Sequence, residues 1–234
     1  MIGNIKKEIR RLADPKRAKT SAWFFKTGPG QYGEGDIFLG LTVPQSRVLA
    51  RKYKNLPLSQ IQTLLKSKFH EERLIALLIL VHQFANNPKA IYDFYLNNTK
   101  YINNWDLVDL TAPKIVGEFI MDHPSDILFK LVKSDNLWER RIAILSTFAF
   151  IYKGRPEPTL QISKLLLSDK HDLIHKAVGW MLREVGKRCS QKTLTDFLDL
   201  NLNLLPRTTL RYAIERLPPP LSQKYLIGSK IKPV

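Results

Sequence analysis

Apolar residues recur at intervals of three and four along almost the whole chain, and strand-like alternation bounded by turns is scarce. That pattern restricts the fold to one assembled from amphipathic helices. Helical stretches are expected over 47–53, 58–66, 71–85, 90–96, 105–120, 125–133, 137–152, 159–167, 172–188, 193–204 and 208–216. Turn-forming groups separate many of them: Asn86-Asn87-Pro88, Asp122-His123-Pro124, Lys153-Gly154-Arg155-Pro156 and Pro218-Pro219-Pro220. A longer period lies over the first. Asp106, Arg141, Lys176 and Arg211 stand 35 residues apart at each step, each near the start of an amphipathic helix, and Arg73 extends the series upstream at nearly that spacing. Shorter helices fall in between. A helix pair repeated in this way buries its apolar face only against the next pair, so the expected fold is an all-α solenoid of two-helix repeats. Residues 1–45 do not follow the period and are expected to form an N-terminal helical cap on repeats spanning 46–234, the whole being one domain.

Charge narrows the partner. The 234 residues carry 37 Lys and Arg against 21 Asp and Glu, a formal charge of +16, which points to a polyanion: DNA, RNA or an anionic membrane. With 44% hydrophobic residues the chain is not a disordered basic tail. A single cysteine, Cys189, excludes an intramolecular disulfide framework and a thiolate zinc site. The longest apolar run, Leu74 to Val81, is far short of the roughly 20 residues that span a bilayer. The N-terminus lacks the apolar segment of a secretory signal, and its stripe of Ile2, Ile5, Ile9 and Leu12 predicts a core-packed helix with a basic outer face. A transit peptide or membrane-surface helix is the alternative. A cytoplasmic location is the default expectation.

In a solenoid the equivalent helices of successive repeats lie side by side. Arg73, Arg141, Lys176 and Arg211 are therefore expected to line one groove as a basic stripe. A cation at a helix N-terminus opposes the macrodipole at about 0.3 kcal/mol or more each, and its repetition favours a role in binding over chance exposure.

Several enzyme motifs fail on context. Gly28, Gly30 and Gly33 match a dinucleotide fingerprint literally, but no strand precedes them and Pro29 interrupts them. His171 and His175 have metal-ligand spacing with no third ligand in suitable context. Cys189 follows Lys187-Arg188, which would lower its pKa, but it has no paired base. What remains sits on the repeated helices. Trp105 and Asp109 are one turn apart, about 6 Å along the axis, and Lys176 and Trp180 have the same relation. Arg141 lies on the intervening repeat. Stacking is expected to bring two tryptophans, a carboxylate and an arginine to one wall, a set suited to a sugar, base or phosphate. Pro113 cannot donate to the carbonyl of residue 109, so the helix should loosen at the aspartate. Gly179 should admit a backbone or ligand beside Trp180. The alternative places both tryptophans in the core and makes Asp106 or Asp109 a cap.

The segments 103–113, 134–145 and 174–187 resemble, in order and spacing, those of the bacterial AlkD-type DNA alkylation repair glycosylases. Phe38, Gly40, Pro44 and Arg47 are similar to an early element of that family, and the likeness covers nearly the whole chain. It implies HEAT-like repeats, stacked in the right-handed sense into a curved solenoid with a concave basic groove. It also implies excision of N3- and N7-alkylated purines from duplex DNA without a metal or other cofactor, by a monomer that leaves an apurinic site. On this resemblance Trp105, Asp109, Arg141 and Trp180 are the catalytic set, and Arg47, Arg73, Arg140, Lys176 and Arg211 contact DNA. The chain departs at Trp23-Phe24-Phe25, where many members carry a tyrosine that approaches DNA, and at Thr42. A non-catalytic DNA- or RNA-binding module using the same groove, and a protein scaffold, are the competing readings.

Overall fold

The computed structural model describes residues 1–228; positions 229–234 of the expected 46–234 region lie outside them. Among the described residues the chain is helical with no β-strand, as the periodicity predicts, apart from one isolated bridge between Ile37 and Phe69. It separates into two compact units, Met1–Thr111 and Ala112 onward.

The first unit contains α1 (Ile2–Arg11), α2 (Pro15–Phe24), α3 (Val43–Lys52), α4 (Leu58–Leu65), α5 (His70–Gln83), α6 (Pro88–Leu96) and α7 (Trp105–Asp109). Its centre is α5, the helix that carries the longest apolar run. Residues 70–80 of it are all buried, and α3, α4, α6 and α7 pack around it. On α1, Ile5 and Ile9 are fully buried while Lys6 and Arg10 reach Glu72 at 3.5 and 3.0 Å, so this helix packs on the core by its apolar stripe. In contrast, α2 buries no side chain. The early element at 38–47 is a crossing of backbones. Gly40 has φ +85°, and a Cβ there would meet the Asp14 carbonyl oxygen at 2.2 Å. The buried Glu71 carboxylate accepts from the N–H groups of Leu39, Gly40 and Leu41, and Thr42 with Gln45 forms a capping box that starts α3.

The second unit opens with a π-helical turn, Pro113–Gly117, followed by α8 (Glu118–Asp122), α9 (Ile127–Leu131), α10 (Leu137–Ser146), α11 (Phe148–Tyr152), α12 (Glu157–Leu165), α13 (Asp172–Arg188), α14 (Gln191–Asn201), α15 (Arg207–Ala213) and α16 (Pro219–Gly228). The first residues of α10, α13 and α15 lie 35 apart, and these three helices pack in succession, α13 against both others. Asn136, His171 and Ser190 cap α10, α13 and α14 with side-chain acceptors. The α13–α15 contact depends on Gly179, whose Cβ would stand 2.5 Å from Tyr212 Cβ and 2.6 Å from the Thr209 carbonyl oxygen. It is therefore a helix backbone, not a ligand, that approaches here. Gly179→Ala should lower the unfolding free energy by about 2 kcal/mol in urea titration, because this overpacking outweighs the roughly 1 kcal/mol helix-propensity gain.

The expected loosening at Asp109 is present. Helix α7 ends at that residue, Leu110 and Thr111 form a turn, and helical form resumes at Ala112, leading into the π turn from Pro113.

Candidate functional site

Five residues do not make a helix stable by itself, so the orientation of α7 comes from what holds it. Asn104 caps it, its Oδ1 accepting from the Trp105 N–H at 2.8 Å while its Nδ2 donates to Asp36 Oδ2 at 3.1 Å. Asp106 is buried and accepts from the Leu107 N–H at 2.9 Å; its other oxygen is 2.8 Å from Nε2 of His70. At the far end Thr111 donates to the Leu107 carbonyl and meets the Tyr95 hydroxyl at 3.0 Å. Burial, with the nearby charge of Asp109, pushes the Tyr95 phenol up and keeps it neutral. Two α7 side chains one turn apart, Trp105 and Asp109, remain partly exposed.

The network under α7 is ionic. Both nitrogens of His70 face carboxylates, Nδ1 at 3.0 Å from Asp36 and Nε2 at 2.8 Å from Asp106, while Arg73 pairs with the other oxygen of Asp36. Burial alone would push the imidazole down, but the charges and hydrogen bonds of Asp106 and Asp36 outweigh it and raise the pKa from 6.5 to about 9. Burial works against Asp36 too, yet His70, Arg73 and Asn104 hold its carboxyl below the usual range. Because the folded His70 value lies above the unfolded one, its contribution is complete below about pH 6.5 and is lost as pH rises through about 9. A change of that size corresponds to roughly 3 kcal/mol. Urea unfolding at pH 6.5, 8 and 10 should show a decline of this order in the wild type and a flatter profile in His70→Gln.

An aromatic stack covers the same network. Trp105 lies on Phe25 at 5.0 Å, Phe25 on Phe38 at 4.9 Å and Phe38 on His70 at 4.4 Å, with Phe24 edge-on to Trp105. Of the Trp23-Phe24-Phe25 departure, Phe25 thus supports Trp105, whereas Trp23 is 74% and Phe24 54% exposed.

In the second unit, Trp180 is half-buried on α13 with Phe148 edge-on at 5.8 Å. Arg141 is buried on α10 and donates to the Leu173 carbonyl at the start of α13. Its neighbour Arg140 pairs with Asp169 at 2.6 Å and donates to the Ser134 and Asp135 carbonyls. Lys176, paired with Asp172, is 41% exposed, and Arg211 is exposed. In the first unit Arg47 is exposed, but Arg73 is not. With 5% side-chain exposure, an ion pair to Asp36 and a bond to the Ser67 carbonyl, Arg73 faces inward, and Arg141 is as deeply buried, which corrects the expected place of both in a solvent-facing basic stripe. The physical reason is local. A cation near a helix N-terminus is stabilised by a neighbouring carboxylate or carbonyl, and Arg73, Arg140, Arg141 and Lys176 each have one.

Other side chains take structural work. His171 caps α13, accepting from the Leu173 N–H, and His175 bonds to the Asp169 carbonyl. Burial pushes the Cys189 thiol up, with Glu157 adding to the shift, which reverses the lowering expected from Lys187-Arg188. Sequence reasoning missed Asp36, His70, Asn104, Phe25 and Phe38. A signal existed for His70. It opens α5 and lies 36 residues before Asp106 in α7, close to the repeat, so equivalent positions of neighbouring helices meet.

No curated protein sequence matches the chain. Among solved structures it is similar to a predicted DNA alkylation repair enzyme from Enterococcus faecalis, with a TM-score of 0.70 and 17% identity over 89% of this chain and 98% of that one, which shows a shared fold. The family model for DNA alkylation repair enzymes matches residues 5–217, and the chain belongs to that family.

Proposed function

We propose that the protein is a monofunctional DNA glycosylase that hydrolyses the N-glycosidic bond of cationic N3- and N7-alkylated purines in duplex DNA. The observation that carries this reading is α7: a tryptophan and a carboxylate one turn apart, both partly exposed, on a short helix held from below by a buried network, in a chain of the DNA alkylation repair family. Alkylation at N3 or N7 already makes the base a cationic leaving group, so no general acid is needed to protonate it. The remaining barrier is positive charge developing on the deoxyribose and placement of a water. The Asp109 carboxylate supplies both, by the electrostatics that stabilise oxocarbenium-like states in glycoside hydrolysis. The faces of Trp105 and Trp180 suit a sugar that is becoming cationic.

Arg47, Arg140, Lys176 and Arg211 are proposed phosphate contacts, and Arg141 is proposed to hold a flanking phosphate. The net charge of +16 supports duplex binding that weakens steeply with salt. The repeats are proposed to continue as a right-handed HEAT-like solenoid with a concave basic groove, acting as a monomer in the cytoplasm without a cofactor. A non-catalytic binding module is the second reading; the partly exposed carboxylate of Asp109 weighs against it, because a binder of phosphates gains nothing from one. An oligonucleotide with one N7-methylguanine should stay intact during incubation and become cleavable by an added apurinic endonuclease. A strand that the endonuclease never cuts would overturn the proposal, and a strand broken by the protein alone would overturn its monofunctional part.

A further inference from the structure

Nothing in the family assignment explains why a histidine is sealed between two aspartates beneath α7. Each ring nitrogen of His70 lies within hydrogen-bond distance of a carboxylate oxygen, 3.0 Å to Asp36 and 2.8 Å to Asp106. A neutral imidazole carries only one N–H, so it would turn a lone pair on one of the two carboxylates. Only the doubly protonated ring satisfies both. The groups facing it are Asp36 from the loop before the Ile37–Phe69 bridge, Asp106 from α7 and, through Asp36, Arg73 from its own helix. The adjacent Glu71 and Glu72 face elsewhere, toward the 39–41 backbone and the α1 cations Lys6 and Arg10. The ring also closes the aromatic stack that ends on Trp105.

We propose that His70, as an imidazolium bridging Asp36 and Asp106, is a positioning residue that fixes α7 and so sets where Trp105 and Asp109 stand. Two routes lead from the ring to those side chains. One is polar, through Asp106 in the first turn of α7. The other is the stack through Phe38 and Phe25 onto Trp105. Because α7 is too short to hold its own direction, loss of the bridge moves Trp105 and Asp109 together. The catalytic consequence rests on the glycosylase reading; the positional claim does not.

The two are tested separately. Indole 15N–1H resonances are followed from pH 7 to 10.5, with Trp105 assigned by its loss in Trp105→Phe. The Trp105 signal is expected to titrate with the His70 ring, and to stay still in His70→Gln. A Trp105 signal that stays fixed while His70 loses its proton overturns the proposal, whether or not the protein excises any base. At neutral pH, single-turnover excision by His70→Gln should fall at least about tenfold while duplex affinity stays within about twofold, the split expected of misplaced reacting groups. Excision at the wild-type rate in a variant of lowered melting temperature would show a merely structural histidine and overturn it. Should His70→Gln fail to fold, Asp106→Asn, which keeps the size and one acceptor, is expected to show the same split, and wild-type excision by it would have the same force.

Discussion

Asp109→Asn should reduce single-turnover release of 7-methylguanine by about 10²- to 10³-fold, while the dissociation constant for the methylated duplex changes by about twofold or less. The substitution keeps the shape of the side chain and removes its charge. Asp109 ends α7 and stays partly exposed, and Asn104, Asp106 and Thr111 are the buried groups that anchor that helix. The expected loss is therefore one of transition-state stabilisation and not of fold. Thermal melting and a gel shift beside the kinetic measurement separate the two. Excision at the wild-type rate would remove Asp109 from the chemistry.

The second large effect is on stability. Asp36→Ala should cost about 3–5 kcal/mol, a large part of what usually holds a domain together. Asp36 accepts from Arg73, from His70 at 3.0 Å and from Asn104 at 3.1 Å, and its side chain is 3% exposed. Without it, a guanidinium and an imidazolium lie buried near each other with one carboxylate lost, and the cap of α7 loses its anchor. Arg73→Met is expected to cost distinctly less, because Asp36 then keeps the imidazolium and Asn104 as partners. Chemical unfolding of the two variants side by side checks the order. Equal losses would show that the carboxylate is not the organising centre.

Much of the fold was legible because helices write themselves into sequence as spacing. The three- and four-residue recurrence predicts an all-helical chain, and the 35-residue step from Asp106 to Arg211 marks the neighbourhood of the starts of α10, α13 and α15. Pro113 and Gly179 were readable for the same reason, since each acts through its own backbone: one ends a helix, the other allows a close crossing. The network beneath α7 was harder to see. Periodicity gives the face of a helix, but not whether a charge on that face meets solvent or a counter-charge. Arg73 reads as a surface cation until Asp36, supplied by a loop outside the period, is placed against it. Phe25 reads as an N-terminal departure until it is found under Trp105. In both pairs one member comes from the first 45 residues, where no repeat predicts a neighbour.

Release of free bases separates excision from binding alone. The wild-type protein, in excess over duplex DNA methylated at N3 and N7 of its purines, is incubated and the released bases are separated by chromatography. Free 7-methylguanine and 3-methyladenine are expected above the spontaneous rate, with Asp109→Asn near that background. Methylated duplex that is bound and shifted in a gel, yet yields no base at any excess of protein, would contradict the glycosylase reading.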